Sequence, residues 1–219
     1  MLADVSTAAG ERLREVRLYV EALKKEERTR PGPIRTDFSV AKGLFFVHLY
    51  GAFEYTVTQS VQRSLQLVNF SAPTMRELKP VFWSVALDAE CKAVADVGPA
   101  KVWPKRWKLF ERSVSSEPVT IDDSVFPADG SNLKTLQMES VWRSLSLPGD
   151  VVPMPRLRGR LDELTDNRNR IAHGRESPVS VGSRYSVDDL RIRFRDIEGY
   201  CSYVIQTLES FLTDEHYKT

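Results

Sequence analysis

The chain has 219 residues, enough for one domain with a sizeable core, and its 42% hydrophobic content is ordinary for a globular protein. With 31 basic and 30 acidic residues the net charge is +1, so any attraction to a polyanion has to come from local clusters. Two distant cysteines and three scattered histidines argue against a metal cage or a disulfide framework, and the lack of a signal peptide or of about 18 consecutive apolar residues predicts a cytoplasmic protein that does not enter a membrane.

The spacing of apolar residues predicts a chain that is mainly helical. Residues 11–28 carry apolar side chains at helical intervals, and the sequence Pro31-Gly32-Pro33 should end this first helix. A second helix should begin near Asp37 or Ser39 and run to about Asn69. Its apolar stripe repeats every four residues and predicts a core helix: Phe45, Leu49, Phe53, Val57 and Val61.

The middle of the chain is less regular. Thr74 and Glu77 have the spacing of a capping box, which predicts a third helical stretch that passes Cys91 and ends near residues 98–99. Residues 101–112 are interpreted as a short helix that begins at Pro104. The prolines, acids and β-branched residues that follow predict loops with at most one short hairpin, so we treat residues 101–130 as an irregular insert between the central helices.

Three further segments complete the expected fold. Residues 132–145 should be helical, and the proline-containing residues 147–155 should form a linker. The next helix should run over residues 155–173 with Gly174 as its stop, and Ser186 should cap a long final helix. The prediction is therefore one all-α domain that covers residues 1–219.

The sequence NRNRIAHGR, at residues 167–175, places a cation where an apolar side chain is expected. Leu157, Leu161, Leu164 and Ile171 form one row along the predicted helix, and Arg168 falls within that row. A cation on a packing face is costly to bury without a partner. The helix therefore either leaves the core at this point or holds the charge for a purpose.

The segment RNRIAH resembles the motif of the HEPN superfamily, in which an arginine, commonly followed by a polar residue, precedes a histidine at short spacing. Here four residues separate Arg168 from His173, and Asn169 is the polar residue. The setting is also similar, because the motif ends a late helix that is followed by a long terminal helix. The Ile-Ala-His-Gly ending is common in that superfamily. The resemblance covers residues 157–211.

This resemblance implies a helical bundle that dimerises about a two-fold axis with its motif helices facing each other. Many members resemble metal-independent ribonucleases of toxin–antitoxin, antiviral or RNA-processing systems, whereas others have lost catalysis. We therefore expect a homodimeric endoribonuclease that needs no metal or cofactor, with RNA and a cognate antitoxin or defence protein as partners. The alternatives are a non-catalytic HEPN module that binds a protein or nucleotide, and an unrelated helical scaffold.

The residues themselves suit such chemistry. On an ideal helix Arg168 and His173 lie about 140° apart, so two-fold packing could bring each arginine to the partner's histidine. His173 is a candidate for proton transfer, Arg168 for stabilising phosphoryl charge and Asn169 for orienting either group. Glu54, at the edge of the second helix's apolar stripe, is a candidate partner of Arg168.

Other cations are candidate RNA-binding residues. Arg160, Arg170 and Arg175 surround the motif, and Lys105 and Arg106 lie in a segment that mixes cations with Trp and Phe. Each has a structural alternative. The aromatic residues of such a segment are more often core anchors, and the motif could be a buried Arg168–Glu54 salt bridge with His173 capping its helix.

Overall fold

The computed structural model describes residues 1–29, 36–126 and 132–219. Within these ranges the chain is all-α, as predicted, with nine α-helices and no strand; two 3-10 turns, Pro80–Phe82 and Pro99–Lys101, separate some of them. The helices are α1 Ala3–Thr29, α2 Thr36–Phe70, α3 Trp83–Ala86, α4 Asp88–Ala95, α5 Val102–Ser113, α6 Thr135–Leu145, α7 Pro155–Ala172, α8 Pro178–Gly182 and α9 Val187–Thr213. None of the helices in the described ranges is both long and apolar enough to cross a membrane.

Helix α2 is the centre of the bundle. It has 35 residues, and α1, α7, α8 and α9 all pack against it. The predicted stripe is fully buried, with Phe45, Leu49, Phe53 and Val57 each 0% exposed. Each such side chain contributes roughly 1.5–3 kcal/mol relative to leaving it in water. The repeat of four that predicted a core helix therefore also marks the element that positions its neighbours.

Helix α8 was not predicted, and it depends on two glycines. A Cβ added at Gly43 of α2 would lie 2.1 Å from the carbonyl oxygen of Pro178, and one at Gly182 would lie 2.0 Å from that of Ser39. The backbones of α2 and α8 therefore touch where no side chain intervenes. Because α8 has only five residues, its apolar pattern was too short to show in the sequence.

The third helical stretch passes Cys91 as predicted, but its predicted start at Thr74 is wrong. The backbone N–H and hydroxyl of Thr74 do donate to Glu77 Oε2, at 2.7 and 2.8 Å, but they close a turn. The backbone after it pairs with the C-terminus instead, since Lys79 N donates to Tyr217 O at 2.8 Å. Helical structure starts only at Pro80 and is split into a 3-10 turn, α3 and α4.

The segment 101–126 contains more helix than predicted. Helix α5 begins at Val102, two residues before Pro104, and has 12 residues. No hairpin follows in residues 114–126; residues 127–131 lie outside the described part of the chain, as do Pro31-Gly32-Pro33. The backbone of Ile121 is paired by a side chain and not by another strand: the Asn69 amide donates to Ile121 O at 2.7 Å and accepts from Ile121 N at 2.8 Å.

The C-terminal half is close to the prediction. Helix α6 begins at Thr135, three residues later than expected, and α7 ends at Ala172, one residue early. Ser186 caps α9 as predicted: its hydroxyl accepts from Asp189 N at 3.1 Å while the Asp189 carboxylate accepts from Ser186 N at 2.9 Å. Helix α7 is thus held between α2 and α9, with its C-terminal end open to solvent.

Candidate active site at the end of helix α7

Helix α7 ends at the motif through a glycine turn. His173 N donates to Asn169 O at 3.0 Å, and Arg175 N donates to Arg170 O at 2.9 Å. Gly174, between them, has φ +66°, a left-handed conformation that glycine adopts without strain. The predicted stop at Gly174 is correct. The turn leaves His173 exposed at the end of the helix, where its imidazole can meet a second molecule.

Arg168 turns towards the protein. Its guanidinium carbon lies 3.7 Å from the centre of the Tyr50 ring, and Nη2 lies 3.6 Å from Glu54 Oε1. The Arg168 side chain is only 18% exposed. The cation in the apolar row therefore packs on an aromatic face, which attracts a cation electrostatically, and it has a carboxylate beside it. The contact expected between Arg168 and Glu54 is present.

Tyr50 organises this arrangement and was missed as a site residue in the sequence. Its hydroxyl donates to Glu54 Oε1 at 3.0 Å and accepts from Leu133 N at 3.1 Å. Burial raises the pKa of Tyr50, which keeps the phenol neutral. The available signal was its spacing of four residues from Glu54, which places both side chains on one face of α2.

Two polar atoms of the motif lack hydrogen-bond partners. Arg168 Nε and Asn169 Oδ1 are both buried, and neither has a partner among the described residues. An unpaired buried donor or acceptor costs roughly 1–3 kcal/mol, so native proteins keep few of them. Six such atoms occur among the described residues, and two of them belong to adjacent residues of the motif, which makes these two groups candidates for contact with a ligand or a reacting molecule.

Within the single chain the structure does not bring the two ends of the motif together. No hydrogen bond or ion pair to any described residue involves the side chain of His173 or of Arg175. Arg168 points inward to α2, while His173 lies at the end of α7, as the angle of about 140° between them predicts. A site that uses both groups on one phosphate needs a second copy of the helix or a movement of the Arg168 side chain.

The arginines around the motif are partly committed to other contacts. Arg170 Nη1 donates to Glu176 Oε1 at 2.6 Å, and Glu176 also binds Arg184. These two hydrogen bonds, led by that from Arg170, lower the pKa of Glu176. Arg160 donates to Asp196 at 3.1 Å and to Glu163 at 3.0 Å. Their roles in RNA binding stay predictions, and Arg175 is the cation nearest to His173 in sequence whose charge is unpaired among the described residues.

Lys105 and Arg106 lie on α5, and the packing interpretation of their segment is wrong. Trp103, Trp107 and Phe110 are 59%, 58% and 67% exposed. None of the 12 residues of α5, all of which the structure describes, is buried. Helix α5 packs chiefly on α4, which has no buried residue either, so the aromatic rings have no core to enter.

Fold and motif together define the class of protein: an all-α domain in which an arginine, an asparagine and a histidine end a helix before the long terminal helix. A family model described as HEPN_MAE_28990-like HEPN matches residues 1–217. This chain belongs to that HEPN family. HEPN domains are often ribonucleases or nucleotide-binding modules. No curated protein and no solved structure matches the chain significantly.

Proposed function

We propose that this protein is a metal-independent endoribonuclease whose site is formed by Arg168, Asn169 and His173. The observation that carries the proposal is the pair of buried, unpartnered atoms at Arg168 and Asn169 beside an exposed histidine. Leaving two such atoms unpaired costs stability, and they fall on adjacent residues of the motif, whereas the other four among the described residues lie at separate positions: Ser60, Arg63, Asn132 and Trp142. Membership of a family in which ribonucleases are frequent supports the same conclusion.

The reaction is cleavage of RNA by its own 2′-hydroxyl. The 2′-oxygen attacks the adjacent phosphorus, the P–O5′ bond breaks, and the products are a 2′,3′-cyclic phosphate and a 5′-hydroxyl. A base removes the 2′-OH proton, and an acid gives a proton to the leaving O5′. His173 is the group for one of these transfers, because imidazole exchanges protons near neutral pH. DNA lacks the 2′-OH and is not a substrate.

Arg168 stabilises the negative charge that develops on the phosphoryl oxygens. Its guanidinium carbon lies 3.7 Å from the centre of the Tyr50 ring, so the cation is positioned before the substrate arrives. Glu54 lies 3.6 Å away and is 47% exposed, which orients the cation without a short, neutralising hydrogen bond. Asn169 Oδ1 is buried without a partner among the described residues, and a small movement on binding would let it accept a hydrogen bond from the substrate or from the partner's histidine.

The site is composite across a two-fold axis. One α7 helix aims Arg168 and His173 in directions about 140° apart, whereas two helices that face each other bring the arginine of one protomer to the histidine of the other. Arg175, Arg170 and Arg160 add phosphate attraction around this centre. A toxin–antitoxin or antiviral setting, with a cognate protein that masks the site, is the biological context that we propose.

A non-catalytic binding module is the second candidate function. It is favoured by the inward position of Arg168, whose side chain is only 18% exposed, and by the lack of a carboxylate that orients His173 among the described residues. In that case the same atoms would hydrogen-bond the phosphate and base of a nucleotide without cleaving it, or would contact a partner protein.

One assay distinguishes the ribonuclease from the non-catalytic binding module. Purified wild type and His173→Ala are incubated with mixed RNA in excess chelator, and His216→Ala serves as a matched control on a histidine outside the motif. We expect wild type and His216→Ala to cleave and His173→Ala to lose most of the activity. A 2′-deoxy substitution at the cleaved position should block the reaction. RNA left intact by wild type, or cut equally by all three proteins, would contradict the proposal.

A further inference from the structure

Helix α5 carries a stripe of large apolar side chains, three of them aromatic, that stay mostly exposed in the described part of the chain. Trp103, Trp107, Phe110 and Val114 follow one another at intervals of four, three and four residues, and they are 59%, 58%, 67% and 63% exposed. At about 100° per residue, the three aromatic residues fall within an arc of roughly 60° on one side of the helix, and Val114 is the residue that caps its C-terminal end. A single exposed aromatic residue is ordinary, but a stripe of them marks a contact surface.

The stripe lies in the most basic part of the chain. Residues 101–112 carry five cations and one carboxylate, a net charge of +4, against +1 for the whole chain. None of the five cations forms an ion pair with a residue that the structure describes. The guanidinium of Arg106 lies 5.2 Å from the centre of the Trp103 ring. The local field therefore attracts an anion, and flat rings are available beside it.

We propose that α5 is a binding surface for single-stranded RNA, separate from the cleavage motif. Bases stack on Trp103, Trp107 and Phe110, which are spaced about 6 and 4.5 Å along the helix axis, while Lys105, Arg106 and Lys108 attract the phosphates. The inference rests on the proposed function, and it adds that the substrate is an unpaired strand, since bases within a duplex cannot stack on protein rings.

A membrane or a second copy of the chain fits this surface less well. A helix that lies on a membrane needs an apolar face about 100° wide or more, and the stripe spans roughly 60°. Three aromatic residues at this exposure offer about 300–450 Å². A stable dimer buries roughly 800 Å² per partner, and two copies of residues 101–112, each with a net charge of +4, repel each other.

The test uses the full chain and a short 2′-O-methyl oligouridine, which binds but cannot be cut. Stacking of bases should quench tryptophan fluorescence. The quenching reports on the exposed Trp103 and Trp107, because Trp142 is buried and Trp83 is half-buried. Anisotropy of the labelled oligonucleotide then gives the affinity. Trp103→Ala/Trp107→Ala should weaken binding on the order of 10- to 100-fold and leave its salt dependence unchanged. Lys105→Glu/Arg106→Glu should weaken binding and flatten the salt dependence.

The matched control is Phe70→Ala, since Phe70 is 90% exposed at the end of α2 and should not affect binding. Unchanged affinity in the double tryptophan variant overturns the inference. So does a blue shift with phosphatidylserine vesicles in place of quenching by RNA, or loss of dimerisation in that variant. The cleavage motif is tested separately: if binding depends on the stripe but wild type cuts no RNA, only the proposed function fails. If His173→Ala abolishes cleavage but the stripe is dispensable for binding, only this inference fails.

Discussion

Replacing Arg168 with methionine should change the stability of the fold very little. Methionine keeps the length and apolar contacts of the arginine stem but removes its charge and donors. The lost contact with the Tyr50 ring contributes about 1–2 kcal/mol. The ion pair with Glu54, at 3.6 Å to a carboxylate that is 47% exposed, contributes about 0–1 kcal/mol.

Removal of the unpartnered Nε of Arg168 offsets these losses of stability. Removing a buried donor that has no acceptor recovers about 1–3 kcal/mol. The three contributions nearly cancel, so we expect the free energy of unfolding of Arg168→Met to stay within about 1 kcal/mol of wild type. For a chain of this size that is a shift of about 2–4 °C or less in the melting temperature.

Arg193→Met is the matched control, because Arg193 is an arginine that the fold does use. It donates to both oxygens of Glu163, at 2.8 and 3.1 Å, and to the carbonyl of Asp189 at 3.0 Å, with its side chain 14% exposed. Its loss should cost about 2–4 kcal/mol. Urea unfolding followed by circular dichroism measures both variants. If Arg168→Met loses as much stability as Arg193→Met, then Arg168 is a structural residue and the argument from its unpaired atom fails.

Further predictions concern pH, close packing and the hydrogen bond between Leu133 N and the Tyr50 hydroxyl. Burial raises the pKa of Glu163, but hydrogen bonds led by that from Arg193 lower it below its ordinary 4.5. Its ionised form therefore stabilises the fold above about pH 4.5, and the stability difference between wild type and Glu163→Gln should shrink as pH falls below that value. Gly43→Ala should destabilise by about 1–3 kcal/mol or more because its Cβ would meet the α8 backbone, whereas Gly51→Ala, with open space, should be neutral or gain about 0.5–1 kcal/mol in thermal unfolding. Tyr50→Phe leaves Leu133 N without its acceptor and should lower the free energy of unfolding by about 1–3 kcal/mol in the same measurement. A neutral result would contradict the stabilising role of this hydrogen bond.

The sequence predicted the parts of the fold that rest on repeated apolar spacing. The stripe of α2 is buried as expected, and the caps at Gly174 and Ser186 end and begin their helices where predicted. What it could not predict depends on contacts between distant residues. The capping spacing at Thr74 did not start a helix because the backbone that follows pairs with Tyr217, and α8 packs on α2 where two glycines let the two backbones touch.

The candidate site, like the fold, was predictable only in part. The interruption of an apolar row by Arg168 identified the residue, and Glu54 lies beside it as expected. The contribution of Tyr50 was not predicted, because a tyrosine inside an apolar stripe looks like any other core residue. The exposure of the α5 rings was also missed, since a stripe of Trp and Phe has the same spacing on a core helix and on a binding surface.

Mixing two inactive variants tests the composite site most directly. Arg168→Ala and His173→Ala, each first checked for dimerisation and a cooperative melt, are combined under confirmed subunit exchange and assayed on RNA in chelator. If each centre draws Arg168 from one protomer and His173 from the other, a mixed dimer carries both lesions in one centre and keeps the second intact. The account predicts recovery of activity that approaches half of wild type within the mixed dimers. No recovery would contradict the cross-subunit arrangement, and full activity of both single variants would contradict the assignment of ribonuclease activity to this motif.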